Sequence, residues 1–155
     1  PLYVQQTCID EDIEQSVPGI YDGMMLTTSL TNSGGDTELY AAMIENYAPD
    51  EDIPDKPIES GQVAVGASTI GSLMTALEGI TEPTAAAITA GLESSGAHDL
   101  FLAEPSTFDC GEPILALASS LCSVQGHLAV LDADGNVTES QFYDPTELFA
   151  TALAG

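Results

Sequence analysis

The chain has 155 residues, 44% of them hydrophobic, and it carries 25 Asp and Glu against a single Lys, so its formal net charge is −24. That lone cation, Lys56, excludes nucleic-acid binding, adsorption to anionic membranes, phosphate loops and arginine clamps, because each of these needs several cations or a specific motif. The hydrophobic fraction also excludes a disordered chain.

The N-terminal part of the chain predicts two strands. Residues 2–6 are expected to form a short buried strand, and residues 21–30 form a second one because they are apolar and β-prone. The acidic stretch 10–15 between them is predicted to form a helical turn.

Three helices are predicted in the middle of the chain. Asp36 is expected to cap the first, which stops before Pro49. The second covers residues 62–77, and the third is capped by Thr81 and closed by Gly96. Apolar residues at helical spacing predict a buried face on the first two, formed by Leu39, Tyr40, Met43, Ile44 and Tyr47, and by Val63, Ala67, Ile70, Leu73, Met74 and Leu77.

The C-terminal part predicts a β-hairpin and a helix. Residues 127–131 and 137–143 form its strands, with a turn at 134–136, and a short helix starts at Asp144. Residues 97–123 are expected to form a loop.

This order of elements predicts an α/β protein whose strands are divided between the two ends of the chain. About four strands split in this way would make a poor sheet by themselves. Together with the abrupt start at Pro1, this predicts a segment that completes something larger.

The three cysteines favour an oxidising compartment. Cys110 and Cys122 enclose a short loop that suits a disulfide worth about 3 kcal/mol, although two buried free thiols are the alternative. Cys8 is left over and is expected to have a partner elsewhere. A surface this acidic repels itself unless cations screen it, which favours a saline extracellular environment.

No enzyme or metal signature occurs in the sequence. The acidic turn at 132–136 lacks the glycine and glutamate positions of a calcium loop, and His98 and His127 are too isolated for a metal site. No nucleophile elbow is present. The residues therefore indicate an extracellular acidic α/β binding module that has no cofactor and is not an enzyme.

Four consecutive segments resemble a known family. The segments are YDGMMLTTSL at 21–30, ELYAAMIENYAPD at 38–50, QVAVGASTIGSLMTALEGI at 62–80 and ITEPTAAAITAGLES at 80–94. Their order and spacing resemble the C-terminal half of type I solute-binding proteins. These are the extracytoplasmic receptors of ABC importers for branched-chain amino acids and related compounds.

The resemblance implies part of a two-lobed α/β fold that closes on its ligand, with three helices between N-terminal strands and a C-terminal β-hairpin. Residues 1–30 and 124–155 would belong mainly to the second lobe and hinge, and residues 31–123 mainly to helices of the first lobe. Segments near 103–107 and 125–131, like 21–30, would lie near the hinge crossings. The missing N-terminal half of the same chain would be a partner.

The implied function is the capture of a small polar organic solute, such as a branched-chain amino acid or amide, for a membrane permease. The implied location is extracellular or periplasmic, with a lipoprotein anchor as one form. Positions that match the family's ligand contacts are Thr7, Cys8 and Gln62, although none is the family's usual carboxylate or aromatic. Thr7 and Gln62 could instead be hinge-facing polar residues, and Cys8 could form a disulfide.

Two other functions remain open at this point. One is a non-catalytic structural or interaction module of an extracellular assembly, in which another chain completes the sheet and pairs with Cys8. The other is a secreted hydrolase that uses scattered carboxylates, although no specific motif supports it.

Overall fold

The computed structural model describes residues 2–5, 9, 11–49, 51, 53–112, 114 and 121–153. Within these residues the chain is a mixed α/β fold with five helices, a four-stranded sheet and a two-stranded sheet. The elements are β1 Tyr3–Gln5, α1 Glu11–Ser16, β2 Met25–Thr28, α2 Gly35–Tyr47, α3 Gln62–Ala76, α4 Ala85–Ser94, β3 His98–Asp99, β4 Thr107–Phe108, β5 Gly126–Leu131, β6 Val137–Tyr143 and α5 Thr146–Leu153.

The larger sheet has the strand order β1-β2-β5-β6. β1 is parallel to β2, whereas β5 lies antiparallel to both β2 and β6. The two ends of the chain therefore build one sheet. In the sequence, helices α2–α4 form an insertion between β2 and β5, which are neighbours in the sheet. The expectation of a poor sheet is wrong, because β2 and β5 pair along the whole of β2 and bury Leu26 and Ala129 between their neighbours.

The predicted N-terminal strands differ from those in the structure. The strand expected at 21–30 is confined to Met25–Thr28. Gly19 and Gly23 have φ angles of +76° and +70°, so the chain turns immediately before β2. Tyr3 of β1 is 65% exposed, because β1 is an edge strand and not the buried strand that was predicted.

The core lies between the sheet and the helices. β5 contributes Ala129 and Leu131, and β2 contributes Leu26, all of them fully or almost fully buried. The remaining members of the cluster come from the loops and helices, namely Tyr21, Leu30, Tyr40, Ile58, Ala64 and Leu102. The hairpin β5–β6 that the sequence predicts is confirmed.

Helix α3 buries its small side chains and not its large ones. Ala64, Ser68, Ser72 and Ala76 recur at every fourth position and face the protein. Val63, Ile70 and Met74, which were predicted to be buried, are 46%, 58% and 70% exposed. Because this side of α3 carries small residues, the Phe101 ring packs close to the helix. A Cβ added at Gly71 would lie 2.7 Å from that ring.

Helix α2 shows a similar departure from the predicted buried face. Tyr40 is buried and Ile44 packs against the core, but Leu39, Met43 and Tyr47 are exposed, Tyr47 by 86%. These three side chains form an apolar stripe at i, i+4 and i+8 on the outer side of the helix.

The predicted caps of α2 and α4 are also wrong. Gly34 occupies the N-cap position of α2, where no side chain caps, and Asp36 instead accepts a hydrogen bond from the Leu102 amide at 3.2 Å. The N-cap of α4 is Thr84, whose hydroxyl accepts from the Ala87 amide. Residues 97–123, which were expected to form a loop, include a small hairpin formed by β3 and β4.

Candidate functional site

A cavity of about 320 Å³ lies between α3, the β4 strand and the Cys110–Cys122 pair. We call it the apolar cavity. Hydrocarbon side chains supply most of its wall, and these are Val65, Leu73, Leu92, Leu100, Ala103 and Phe108. Hydroxyl side chains complete it, and these are Ser29, Ser68, Thr69, Ser72 and Ser123.

The hydroxyl groups that α3 brings to this wall are engaged within the protein. Ser68 donates to the carbonyl of Phe101, and Ser72 accepts from the amide of the same residue at 2.9 Å. Thr69 donates to the Val65 carbonyl at 2.8 Å. The two serine bonds attach the loop at 100–106 to α3, and the Thr69 bond stays within the helix, so a ligand would meet mainly hydrocarbon there.

The wall is also free of charge. None of the lining residues that the structure describes is an Asp, Glu, Lys, Arg or His. An ion transferred into such surroundings would lose hydration without a partner, whereas an apolar group gains from leaving water. The cavity is therefore chemically suited to an uncharged group.

Cys110 and Cys122 lie at disulfide distance, with their Cα atoms 4.5 Å apart. This agrees with the predicted pairing and differs from the alternative of two free thiols. The Asp109 amide donates a backbone hydrogen bond of 3.0 Å to the Cys122 carbonyl, which joins the same two segments of the chain. The bridge fixes one end of the apolar cavity.

His127 is the buried histidine on the sheet side of this region. Its ring meets that of Phe142 edge-on at 5.7 Å, and its Nε2 lies 3.5 Å from the Ala103 carbonyl oxygen. Desolvation lowers the pKa of His127, and the Ala103 carbonyl opposes this more weakly by raising it. The imidazole is therefore neutral at neutral pH.

Of the ligand contacts predicted from the sequence, only Gln62 falls within the described residues. Gln62 is the exposed first residue of α3 and is not among the lining residues. Thr7 and Cys8 lie outside the described residues. Sequence reasoning missed the cavity, although serines four residues apart in an otherwise apolar helix (Ser68 and Ser72) were a usable signal of a buried face that binds backbone.

Within the residues that the structure describes, no group of three or more His, Cys, Asp or Glu side chains is arranged to hold a metal ion. None of the helices described is long and apolar enough to cross a membrane. Comparison of the chain with family models, with curated proteins and with solved structures gives no match.

Proposed function

We propose that this chain is a non-catalytic, extracytoplasmic solute-binding module that captures a small uncharged solute with a substantial apolar group. The observation that carries the proposal is the apolar cavity. In the form that the sequence resemblance implies, the module belongs to a two-lobed receptor that delivers its solute to the permease of an ABC importer.

The size and chemistry of the apolar cavity support this proposal. Its volume of about 320 Å³ is at the lower end of the range of roughly 300–1,000 Å³ that is usual for small-molecule sites. A mainly hydrocarbon wall favours an aliphatic or aromatic group. The net charge of −24 repels anionic solutes, so a neutral amide or alcohol suits the molecule better than a carboxylate.

The position of the apolar cavity is a second support. Ser29 and Ala103 line it, and both belong to segments that the resemblance places next to the hinge. The cavity thus touches the end of a strand of the larger sheet and the α3 helix of the insertion. The disulfide is compatible with the extracellular location that the proposal requires.

The proposal is tested by thermal shift with isobutyramide, benzamide, cyclohexanol, leucine and valine. We expect at least one uncharged compound to raise the melting temperature saturably. Leu73→Trp, which fills the cavity, should abolish that shift, whereas Met74→Trp should retain it because residue 74 is exposed and outside the cavity. No response to any compound, or an equal loss in both variants, would count against the proposal.

The exposed apolar stripe of α2 favours a second candidate, an interaction module of an extracellular assembly. This stripe consists of Leu39, Met43 and Tyr47, which are four residues apart. Helices that bind in a groove of another chain have apolar residues at this spacing. Native mass spectrometry of the protein from its own source would decide: a stable complex that Met43→Glu dissociates supports this candidate, and a free chain that binds a solute does not.

A further inference from the structure

The turn between β5 and β6 leads into a tripeptide that occurs nowhere else in the chain. Asn136, Val137 and Thr138 form an Asn-x-Thr sequence in which x is not proline. This is the acceptor pattern for N-linked glycans in exported proteins. The other asparagines of the chain, Asn32 and Asn46, are followed two positions later by glycine and alanine, so neither fits the pattern.

The hairpin presents Asn136 to solvent. The Asp132 carboxylate fixes the turn, because its Oδ1 accepts from the amides of Asp134 and Asn136 at 3.0 and 2.8 Å. The side-chain nitrogen of Asn136 lies 3.4 Å from both Asp132 oxygens, beyond the usual limit of about 3.2 Å. Asn136 is exposed, whereas the adjacent Gly135 is buried. A group attached to Nδ2 of Asn136 would therefore have room in the solvent.

Thr138 supplies the hydroxyl that the pattern requires. It is exposed, and its hydroxyl donates to the Val130 carbonyl across the hairpin at 3.1 Å. An enzyme that reads this hydroxyl would meet the segment before the hairpin closes, as the chain leaves the membrane. The folded protein then needs only space for the product, and the exposed Asn136 provides that space.

From these observations we propose that Asn136 is an N-glycosylation site. Its Nδ2 forms a bond to the anomeric carbon of a glycan that a lipid diphosphate carries. The bond from that carbon to the phosphate oxygen breaks, the lipid diphosphate leaves with the electron pair, and Nδ2 loses one proton. The inference rests on the extracytoplasmic location in the proposed function, with which the Cys110–Cys122 pair is compatible. It does not depend on the apolar cavity.

A glycan at this position would lie beside an edge of the larger sheet. β6 begins at Val137 and is the last strand in the order β1-β2-β5-β6. Its seven residues include one charge, Glu139, and no proline. Charges and proline are common means by which edge strands avoid pairing with other chains. A bulky hydrophilic group next to the first residue of β6 would hinder such pairing in their place.

The test is tandem mass spectrometry of the protein purified from its own source, with fragmentation that keeps glycans attached. The peptide that contains Asn136 should carry a sugar mass on that residue. The peptide with Asn46 is the internal control and should be unmodified, because Asn46 is also exposed but lacks the hydroxyl residue two positions later. An unmodified Asn136 in protein found outside the cytoplasm would overturn the glycosylation alone. An unmodified Asn136 in protein confined to the cytoplasm would overturn the proposed location as well.

Two substitutions of Thr138, expressed in the same source, separate recognition of the hydroxyl from other effects. Thr138→Ser keeps the hydroxyl and should keep most of the glycan, whereas Thr138→Val removes the hydroxyl and should abolish glycosylation. A glycan that persists in Thr138→Val, or an equal loss in both variants, would contradict the site. Both variants should retain the thermal shift with uncharged solutes, since residue 138 does not line the apolar cavity. Failure of the solute proposal is therefore seen separately.

Discussion

At the scale of single residues, small polar side chains hold the loop at 100–106 in a conformation that its own sequence does not favour. Leu102 is buried with a φ angle of +62°, which is uncommon for a residue with a branched side chain. Its amide donates to Asp36, and its carbonyl accepts from the Thr31 amide at 2.9 Å. Because Leu100 and Ala103 of this loop line the apolar cavity, these bonds help to hold one of its walls.

The serines of α3 provide a direct test of this arrangement. Ser72→Ala should lower the free energy of unfolding by about 1–3 kcal/mol, because it leaves the Phe101 amide without its acceptor. Ser94→Ala is the control: Ser94 is exposed and bonds only to carbonyls of its own helix, so we expect a change within about 0.5 kcal/mol. Urea denaturation measures both, and similar values would contradict the role of Ser72.

His127 gives a pH dependence whose sign can be worked out. Burial lowers the pKa of its imidazole, so the unfolded chain binds the proton more readily than the folded one. The stabilisation is therefore complete above the ordinary histidine pKa of about 6.5 and is lost as the pH falls from there through the folded-state pKa.

Replacement of the imidazole isolates this contribution. Between about pH 8 and pH 5, the wild-type chain should lose more unfolding free energy than His127→Gln does, since the carboxylates titrate equally in both. Chemical denaturation at several pH values measures the difference. Parallel pH profiles would show that His127 is not responsible.

At the scale of elements, the periodicity of the sequence locates helices better than it orients them. The bounds predicted for the second helix, 62–77, agree closely with α3 at Gln62–Ala76. Its buried face was not predictable by the same rule, because large apolar residues are normally expected inside. In this protein α3 packs against a loop backbone and the Phe101 ring. Only small side chains fit there, so the helix buries the face that carries Ser68 and Ser72.

The apolar cavity escaped prediction for the same reason. Its lining joins α3 to Phe108 and to the two cysteines, positions that are brought together by the β3–β4 hairpin, by the disulfide and by the bonds from α3 to Phe101. The cysteine spacing predicted the disulfide, but the short strands carry too few residues to show a period of two. Asp36 had been interpreted as a cap, and its long-range bond to Leu102 leaves no trace in the local sequence.

Two glycines in α3 test how closely this helix packs. Gly66→Ala should stabilise the protein by up to about 1 kcal/mol, because the new Cβ would have no atom within 4 Å apart from its own stretch of helix, and alanine favours a helix. Gly71→Ala should destabilise it, because the Cβ would meet the Phe101 ring at 2.7 Å. Thermal unfolding of both variants gives the comparison, and equal stabilisation would contradict the close packing at Gly71.

At the scale of the whole molecule, surface area and charge are the distinctive quantities. The accessible surface is 9595 Å² for a mass of 16.0 kDa, whereas a compact monomer of that mass is expected to expose roughly 7,400 Å². The outward apolar residues of α2 and α3, among them Tyr47, Ile70 and Met74, contribute exposed apolar area to this surface.

Charge repulsion leads to a prediction about salt. The melting temperature at neutral pH should rise when NaCl is increased from about 0.05 M to 1 M, because the Debye length shortens. Near the sequence pI of about 4.1 the same increase should have much less effect, since many carboxylates are then protonated. A melting temperature that is independent of salt at neutral pH would contradict the importance of repulsion.

The pairing of β2 with β5 also determines when the protein can finish folding. Met25 lies opposite Val130, so this contact closes a loop on the order of 100 residues, at an entropic cost of about 4 kcal/mol. On a ribosome, β2 must wait for nearly the whole insertion to be synthesised, and its unpaired edge stays open to other chains meanwhile. Helices α2–α4 are held internally by local hydrogen bonds and are synthesised before β5, so they can form first. The sheet that the two ends share is therefore the last part of the molecule to assemble, and folding is slow for its size.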